Sequence, residues 1–322
     1  MRETRYVKAI NEALLEEMAR DERVFIVGED VGFGGGAFAA TRDLLDRFGE
    51  RRVRDTPISE AAIVGVATGA AMRGLRPVAE IMFADFLTLS MDQIVNQLAK
   101  ARYMFGGMYR MPVVIRAACG GGLNAGPQHS QSLEAWFAHV PGLKVVMPAT
   151  PHDAKGLLKS AIRDDNPVLF LEHKALYASK GEIPDEEYVV PIGKAAVRRP
   201  GQDVTVVAAS RMVQVALEAA ATLAAEGVDV EVIDLRTISP LDRDAILASV
   251  DKTARLVVAH EAVKAFGFGA EIVALVCEEL PRRVTRVARV GAPSVPVPFA
   301  QEQQYLPAAR DVVEAVRRVV SA

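Results

Sequence analysis

The sequence predicts an α/β protein with two parallel-sheet domains. Short β-branched runs alternate with longer helical patterns through most of the chain, the alternation lapses near residue 180, and it then restarts. Alternation of this kind is typical of parallel strands whose connecting helices cover both faces of a sheet. At 322 residues the chain is long enough for two domains of ordinary size.

The first domain is predicted over residues 1–185. Buried strands are indicated at 24–27, 77–82, 112–116, 144–147 and 167–171, and helices at 59–72, 88–104 and 151–163. The amphipathic N-terminus, MRETRYVKAINEALLEEM, predicts a further helix and does not resemble a signal peptide.

A polar stretch rich in proline and glycine, SKGEIPDEEYVVPIGKAAVRRPGQD, separates the two patterns and predicts a linker at 186–197. The second domain is then expected over 198–322. Its strands are predicted at 204–208, 230–234 and 255–259, with helices ending near 225 and beginning near 268 and 308.

Composition excludes several classes of protein. The net charge of −3 gives no electrostatic reason to expect nucleic acid or an anionic membrane as a partner. Cys119 and Cys277 form no C-x-x-C motif, and no run of 18 apolar residues exists. A cytoplasmic protein without structural disulfides is the resulting expectation.

The common catalytic motifs are absent from the sequence. The glycine cluster at 28–38 lacks the acidic residue of a dinucleotide fold, and CGGGLNAGPQHS is not followed by Gly-Lys-Ser/Thr. The five histidines have no zinc-ligand spacing, and there is no G-x-S-x-G elbow. Any catalysis would therefore use carboxylates and histidine together with a cofactor.

Glu60 is the one charged residue of the helix predicted at 59–72. A glutamate in the first helical turn is stabilised by the macrodipole by about 0.3–1 kcal/mol, so a purely structural role is one explanation. A functional role requires support from the rest of the chain.

Long segments resemble the β subunit of the E1 component of 2-oxo acid dehydrogenase complexes. They include GEDV, DTPISEAAIVGVATGAAMRGLRPVAEIMFADF, the stretch from QHSQ to FLEHK, and HEA followed by GFGAEI. The resemblance runs in order from about residue 5 to 310 and is strongest to the pyruvate and acetoin types. Leu133 stands where the branched-chain type commonly has proline.

The resemblance implies a transketolase-like pyrimidine-binding domain, a transketolase C-terminal-like domain and thiamine diphosphate as cofactor. Glu60 matches the carboxylate that binds N1′ of the aminopyrimidine and favours its imino tautomer, and an apolar setting suits this hydrogen bond. Phe86 matches the residue that stacks on the pyrimidine, Met82 the residue that lines the cofactor's bend, and Ile58 a backbone contact. Core packing is the alternative explanation for Met82 and Phe86.

His129 in QHSQ matches the family's active-site histidine, which is proposed to guide acyl and proton transfer to the lipoyl group. Glu29 corresponds to an acid near the cofactor and subunit interface, although a turn residue after the strand is equally consistent.

The resemblance also implies a potassium site in some members. The matching residues are Val113, Ala161, Ile162, Asp164 and Asn166. An ordinary helix C-terminus stopped by Pro167 is the alternative.

No G-D-G motif occurs, although thiamine enzymes use one to bind the metal that anchors the diphosphate. The resemblance therefore implies that an α subunit supplies Mg²⁺ and the diphosphate half of the site, in an α₂β₂ heterotetramer. The second domain would serve β–β assembly and docking to the E2 lipoyl acyltransferase.

The leading hypothesis is oxidative decarboxylation of pyruvate with reductive acylation of the E2 lipoyl group. Acetoin cleavage and branched-chain 2-oxo acid oxidation keep the mechanism and change the substrate. A non-catalytic assembly subunit and a split transketolase half are alternatives of other classes.

Overall fold

The computed structural model describes residues 1–321. The strands are β1 Arg2–Arg5, β2 Val24–Gly28, β3 Val53–Asp55, β4 Arg76–Phe83, β5 Val114–Cys119, β6 Lys144–Val146, β7 Val168–His173, β8 Lys180–Ile183, β9 Ala196–Arg199, β10 Val204–Ala208, β11 Val230–Asp234, β12 Thr237–Ser239, β13 Arg255–Val263 and β14 Arg286–Ala292.

The α-helices are α1 Tyr6–Arg20, α2 Leu44–Phe48, α3 Glu60–Met72, α4 Ala99–Met104, α5 Glu134–Ala138, α6 Pro151–Arg163, α7 Arg211–Ala224, α8 Arg243–Thr253, α9 Phe268–Glu279, α10 Glu302–Tyr305 and α11 Ala309–Val320. Two 3₁₀ segments, Ala84–Ser90 and Lys174–Leu176, and a π-helical segment, Gln93–Leu98, complete the set.

Seven strands form the larger sheet, in the order β12-β6-β7-β5-β4-β2-β3. All neighbours are parallel except β12, which pairs antiparallel with β6 and comes from the second half of the chain. Five strands form the second sheet, β14-β13-β10-β11-β9, in which only β9 is antiparallel. Mostly parallel sheets with interspersed helices confirm the predicted α/β class.

The predicted strands and helices are found with shifted ends, and the structure also differs from the prediction at 2–5, 88–104 and 196–197. Residues 2–5 do not continue the N-terminal helix, because they form β1 and pair with β8. The pattern at 88–104 is divided among 3₁₀, π and α segments. The last two residues of the predicted linker 186–197 begin β9 of the second sheet.

Local sequence explains where the site-bearing helices begin. At α6, Thr150 is the N-cap and its hydroxyl accepts a hydrogen bond from the Asp153 N–H, with Pro151 in the first turn. Helix α3 consists almost wholly of small apolar residues, which allow it to pack closely against β4 and the 3₁₀ segment Ala84–Ser90.

The two sheets share an apolar core. One buried cluster joins Leu133, Phe137 and Met147 from the first half of the chain to Ile238 and Phe268 from the second. Within residues 1–321, no helix has the length and apolar character needed to cross a membrane.

Candidate active site

The predicted catalytic and cofactor-binding residues, apart from the potassium set, lie along the edge where the parallel strands of the larger sheet end. Glu29 directly follows β2, and Met82 is near the end of β4. The loop after β5 carries His129, and Glu60 begins α3, which follows β3. Ligands of open α/β sheets bind outside the carboxyl ends of the strands, so this edge is the natural candidate site.

Glu60 and Glu29 are two buried carboxylates that lie near one another. Their residues are only 7% and 8% exposed. Burial, together with the negative charge of Glu60, raises the pKa of Glu29. Within the described residues neither side chain forms a salt bridge or hydrogen bond, so the pair has no protein counter-charge. Close carboxylates without partners are a feature of functional sites.

Three rings form an aromatic cluster beside α3, the helix that begins with Glu60. The His129 ring packs edge-on against Phe83 and Phe86, with centroids 4.8 and 5.2 Å away. Phe83 and Phe86 are themselves 5.7 Å apart. The 3₁₀ segment that carries Phe86 packs against α3, the helix that begins with Glu60. The structure thus brings His129 and Phe86 together.

Met82 and Ile58 differ in their surroundings. Met82 is half-buried and lines a small cavity with Phe38, Arg116 and Tyr177. The Ile58 side chain is 83% exposed, so any contact that it makes with a cofactor within this chain would involve its backbone.

Two side chains hold the loop around His129 to the first domain. The buried Asp85 carboxylate accepts hydrogen bonds from the Gln131 N–H at 3.2 Å and from its Nε2 at 2.8 Å. The ammonium group of buried Lys174 donates to the backbone carbonyl of His129 and lies 5.3 Å from the centroid of the Phe83 ring. Burial lowers the pKa of Lys174.

Sequence reasoning missed Phe83, Asp85 and Lys174. Phe83 and Asp85 lie in the segment EIMFADF, but a strand end followed by a 3₁₀ turn obscures which side chains share a face. Lys174 ends the segment FLEHK. The sequence signal is a lysine that directly follows a predicted buried strand, because lysine is rarely buried unless its charge is paired.

The predicted potassium residues lie around the C-terminus of α6. The Ile162 and Asp164 carbonyl oxygens accept hydrogen bonds from Arg76, at 2.9 and 2.7 Å. The Val113 carbonyl accepts from the Val168 N–H at 2.9 Å, and that of Ala161 from the Asp164 N–H at 3.2 Å. The Asn166 side-chain oxygen accepts from Arg102 at 2.6 Å. Each of these oxygens accepts a hydrogen bond from the chain, and an oxygen of this type has two lone pairs.

Comparison with known proteins gives the chain two family matches. Residues 2–180 match the pyrimidine binding domain of transketolase, and residues 193–312 match the transketolase C-terminal domain. A solved structure described as "Split gene transketolase, inactive beta4 tetramer" has a TM-score of 0.82 and 26% identity, with 98% of each chain covered.

Proteins of similar sequence identify the family of the chain more closely than the two domain matches do. The chain is 48% identical to the 2-oxoisovalerate dehydrogenase subunit beta of Bacillus subtilis (strain 168), over 97% of both chains. It is 47% identical to the pyruvate dehydrogenase E1 component subunit beta of the same organism, over 98% of both. The acetoin:2,6-dichlorophenolindophenol oxidoreductase subunit beta of Cupriavidus necator is 48% identical, over 97% of this chain and 96% of its own. The chain therefore belongs to the family of E1 β subunits of 2-oxo acid dehydrogenases, a transketolase-related family associated with thiamine diphosphate.

Proposed function

We propose that this chain is the β subunit of an E1 component that oxidatively decarboxylates pyruvate and reductively acylates the lipoyl group of E2. It would thus be an oxidoreductase that acts on an oxo group, with a disulfide as acceptor. The observation that carries the proposal is the buried carboxylate of Glu60 at the carboxyl edge of the larger sheet, which has no partner among residues 1–321.

The residues at this edge fit an aminopyrimidine ring. Glu60 would hold a proton toward a ring nitrogen, and its low-dielectric setting would strengthen that hydrogen bond. Phe86 and Met82 offer partly exposed apolar surface, Ile58 a backbone group and Glu29 a second acid. Thiamine diphosphate, when bound, would supply the carbon nucleophile that attacks the 2-oxo acid.

His129 would guide the transfer of the acyl group and of a proton during reductive acylation of the lipoyl group. Its ring is fixed by contacts with Phe83 and Phe86, and its backbone by Lys174. A half-buried imidazole on a fixed support is suited to general acid–base catalysis.

A second subunit completes the proposed enzyme. Because the sequence has no G-D-G motif, an α subunit would hold Mg²⁺ and the diphosphate, in an α₂β₂ heterotetramer that binds the E2 acyltransferase. A potassium ion would be bound by the oxygens of Val113, Ala161, Ile162, Asp164 and Asn166 around the end of α6. Both cysteines are free thiols, which fits a reducing cytoplasm.

Acetoin or a branched-chain 2-oxo acid is the alternative substrate. Relatives named for acetoin and 2-oxoisovalerate match this chain as well as the one named for pyruvate does. The mechanism would be unchanged, because the substrates differ in the group attached to the reacting carbonyl.

The test is turnover with thiamine diphosphate and Mg²⁺, by this chain alone and after addition of its candidate α partner. It is measured as CO2 release from the 2-oxo acids and as reduction of an artificial acceptor with acetoin, which has no carboxylate. Pyruvate, a branched-chain 2-oxo acid and acetoin are compared side by side. We expect turnover only in the mixture, with pyruvate preferred. Turnover by the single chain would contradict the shared site, and preference for another substrate would contradict the pyruvate assignment.

A further inference from the structure

The loop that carries His129 lies between the two domains. It leaves β5 at Cys119 and contains four glycines before residue 127. Asp85 and Lys174 of the first domain contact its C-terminal end, at Gln131 and His129. Its N-terminal half instead contacts the second domain.

Glu261 of β13 makes the first of these contacts. Its Oε1 accepts a hydrogen bond from the Gly121 N–H at 2.7 Å, and its Oε2 lies 2.9 Å from His173 Nε2 and 3.1 Å from Arg211 Nη1. Although burial acts in the opposite direction, these contacts lower the pKa of Glu261 to about 2. The acceptor is therefore a fixed, ionised carboxylate, which makes a strong hydrogen bond to an N–H.

Glu302 of α10 makes the second contact. Its Oε2 accepts a hydrogen bond from the Asn124 N–H at 2.6 Å, and the residue is only 1% exposed. Asn124 itself is exposed and has a φ of 53°, a left-handed conformation that asparagine adopts more often than most other non-glycine residues. Burying a carboxylate is costly, and this one has a loop amide as its partner.

The glycines of the loop fit against these same side chains. A Cβ on Gly120 would lie 2.2 Å from His173 Nε2 and 2.7 Å from Glu261 Oε1. A Cβ on Gly121 would lie 2.9 Å from Leu306 Cδ2 and 3.0 Å from Glu302 Oε1. A side chain at either position would therefore displace the groups that the loop contacts, and the effect would be stronger at Gly120 than at Gly121.

We propose that the second domain positions the active-site histidine: Glu261 and Glu302 hold the backbone of the loop that places His129. This inference rests on the proposed role of His129 in acyl transfer to the lipoyl group. It gives the second domain a part in the reaction beyond assembly. The two glutamates are positioning residues, since they contact the loop backbone and not the reacting groups.

The experiment compares Glu302→Ala and Glu302→Gln in the assembled αβ enzyme. The alanine variant loses the acceptor for the Asn124 N–H, whereas glutamine retains a carbonyl oxygen. Gly121→Ala disturbs the same contact from the loop side, and exposed Glu314→Ala on the same domain is the matched control. His129→Ala is the reference for loss of the histidine.

Two activities and one physical property are measured for each variant. The activities are acylation of a lipoyl domain and decarboxylation with an artificial oxidant, and the property is hydrogen exchange of the loop amides. For Glu302→Ala and Gly121→Ala we expect about tenfold slower lipoyl acylation, dye-linked turnover within about twofold of wild type, and faster exchange from Asn124 to His129. Glu302→Gln should be close to wild type, and Glu314→Ala identical to it.

Equal loss of both activities in Glu302→Ala would indicate a general structural role and would overturn the inference. Unchanged acylation would overturn it as well. If His129→Ala itself shows no selective loss, the proposed role of His129 fails. Hydrogen exchange then decides the positioning claim alone: faster exchange of the loop in Glu302→Ala supports it, and unchanged exchange refutes it.

Discussion

The edges of the two parallel sheets differ in whether their buried carboxylates are paired with cations. At the edge of the larger sheet, the buried carboxylates of Glu29 and Glu60 lie near each other, and within residues 1–321 neither has a cationic partner. In the second sheet, Asp234 is paired with Arg198 at 2.8 Å, and Glu261 with Arg211 at 3.1 Å.

The difference shows what each edge is suited to do. Paired charges on the second sheet are directed toward the first domain: Arg198 also contacts buried Asp153 of α6, and Arg236 reaches the same carboxylate at 2.8 Å. This edge is an internal interface whose charges are neutralised on folding. The edge with Glu29 and Glu60 retains uncompensated charge, which is the property that a ligand site requires.

The largest expected effect comes from removing the charge of Glu60 at the edge of the larger sheet. Glu60→Gln removes the ionisable group but preserves its size, so folding and assembly with the α subunit should be normal. Turnover should fall by about 10²–10⁴-fold, the range for loss of acid–base assistance. Steady-state kinetics and a thermal melt measure both quantities, and near-normal turnover would contradict the proposed role of Glu60.

Breaking the paired edge should affect stability. Asp153→Ala removes the ion-pair partner of Arg236 and one of the two carboxylates that contact Arg198, which keeps Asp234. Loss of one member of a buried ion pair costs about 3–5 kcal/mol. The matched control is Asp251→Ala, because Asp251 pairs with Arg283 on the surface at 3.2 Å and should contribute at most about 1 kcal/mol. Denaturant unfolding of both variants gives the comparison, and equal costs would show that the interdomain pairs add nothing.

The pH dependence of the second sheet should come partly from His260. Burial lowers the pKa of His260 to about 4, so the neutral ring is favoured in the folded state. Its contribution to stability is present above the unfolded pKa of about 6.5 and is lost as pH falls toward 4, a loss of up to about 3 kcal/mol. His260→Asn should flatten the curve of unfolding free energy over this window, and an unchanged slope would show that another group titrates.

The smallest expected effect comes from Glu29, whose pKa is shifted in the opposite direction to that of His260. Burial and the charge of Glu60 raise its pKa, so the stability it contributes is present below the unfolded pKa of about 4.3 and is lost as pH rises through the higher folded pKa. Glu29→Gln should therefore match wild type in acid and become the more stable protein at neutral pH. Double substitution with Glu60→Gln provides the control, since it removes the source of repulsion.

Much of the fold could be predicted from the sequence because the parallel strands are buried on both faces. Continuous runs such as VLFLEH and VTVVA read directly as core strands. The sequence patterns do not predict β1, β3, β8, β9, β12 or β14. All of these except β14 have three or four residues, which carry little periodicity, and pairing with distant segments defines them.

The candidate site likewise contains some residues that the sequence predicts and others that it does not. Similarity of EIMFADF and QHSQ to the family predicts Phe86 and His129, and the structure brings their rings together. Lys174, Glu261 and Glu302 act through backbone groups of a loop that is far from two of them in sequence. Contacts of this kind depend on the packing of one domain against the other, which no local pattern records.

The pairing of β12 with β6 has a consequence for attempts to divide the protein. A first domain produced alone would lack β12 and would present the outer edge of β6 with unpaired N–H and C=O groups. Exposed edges of this kind recruit strands from other molecules. The second half of the chain covers this edge of the first, so the isolated first domain should aggregate where the intact chain does not.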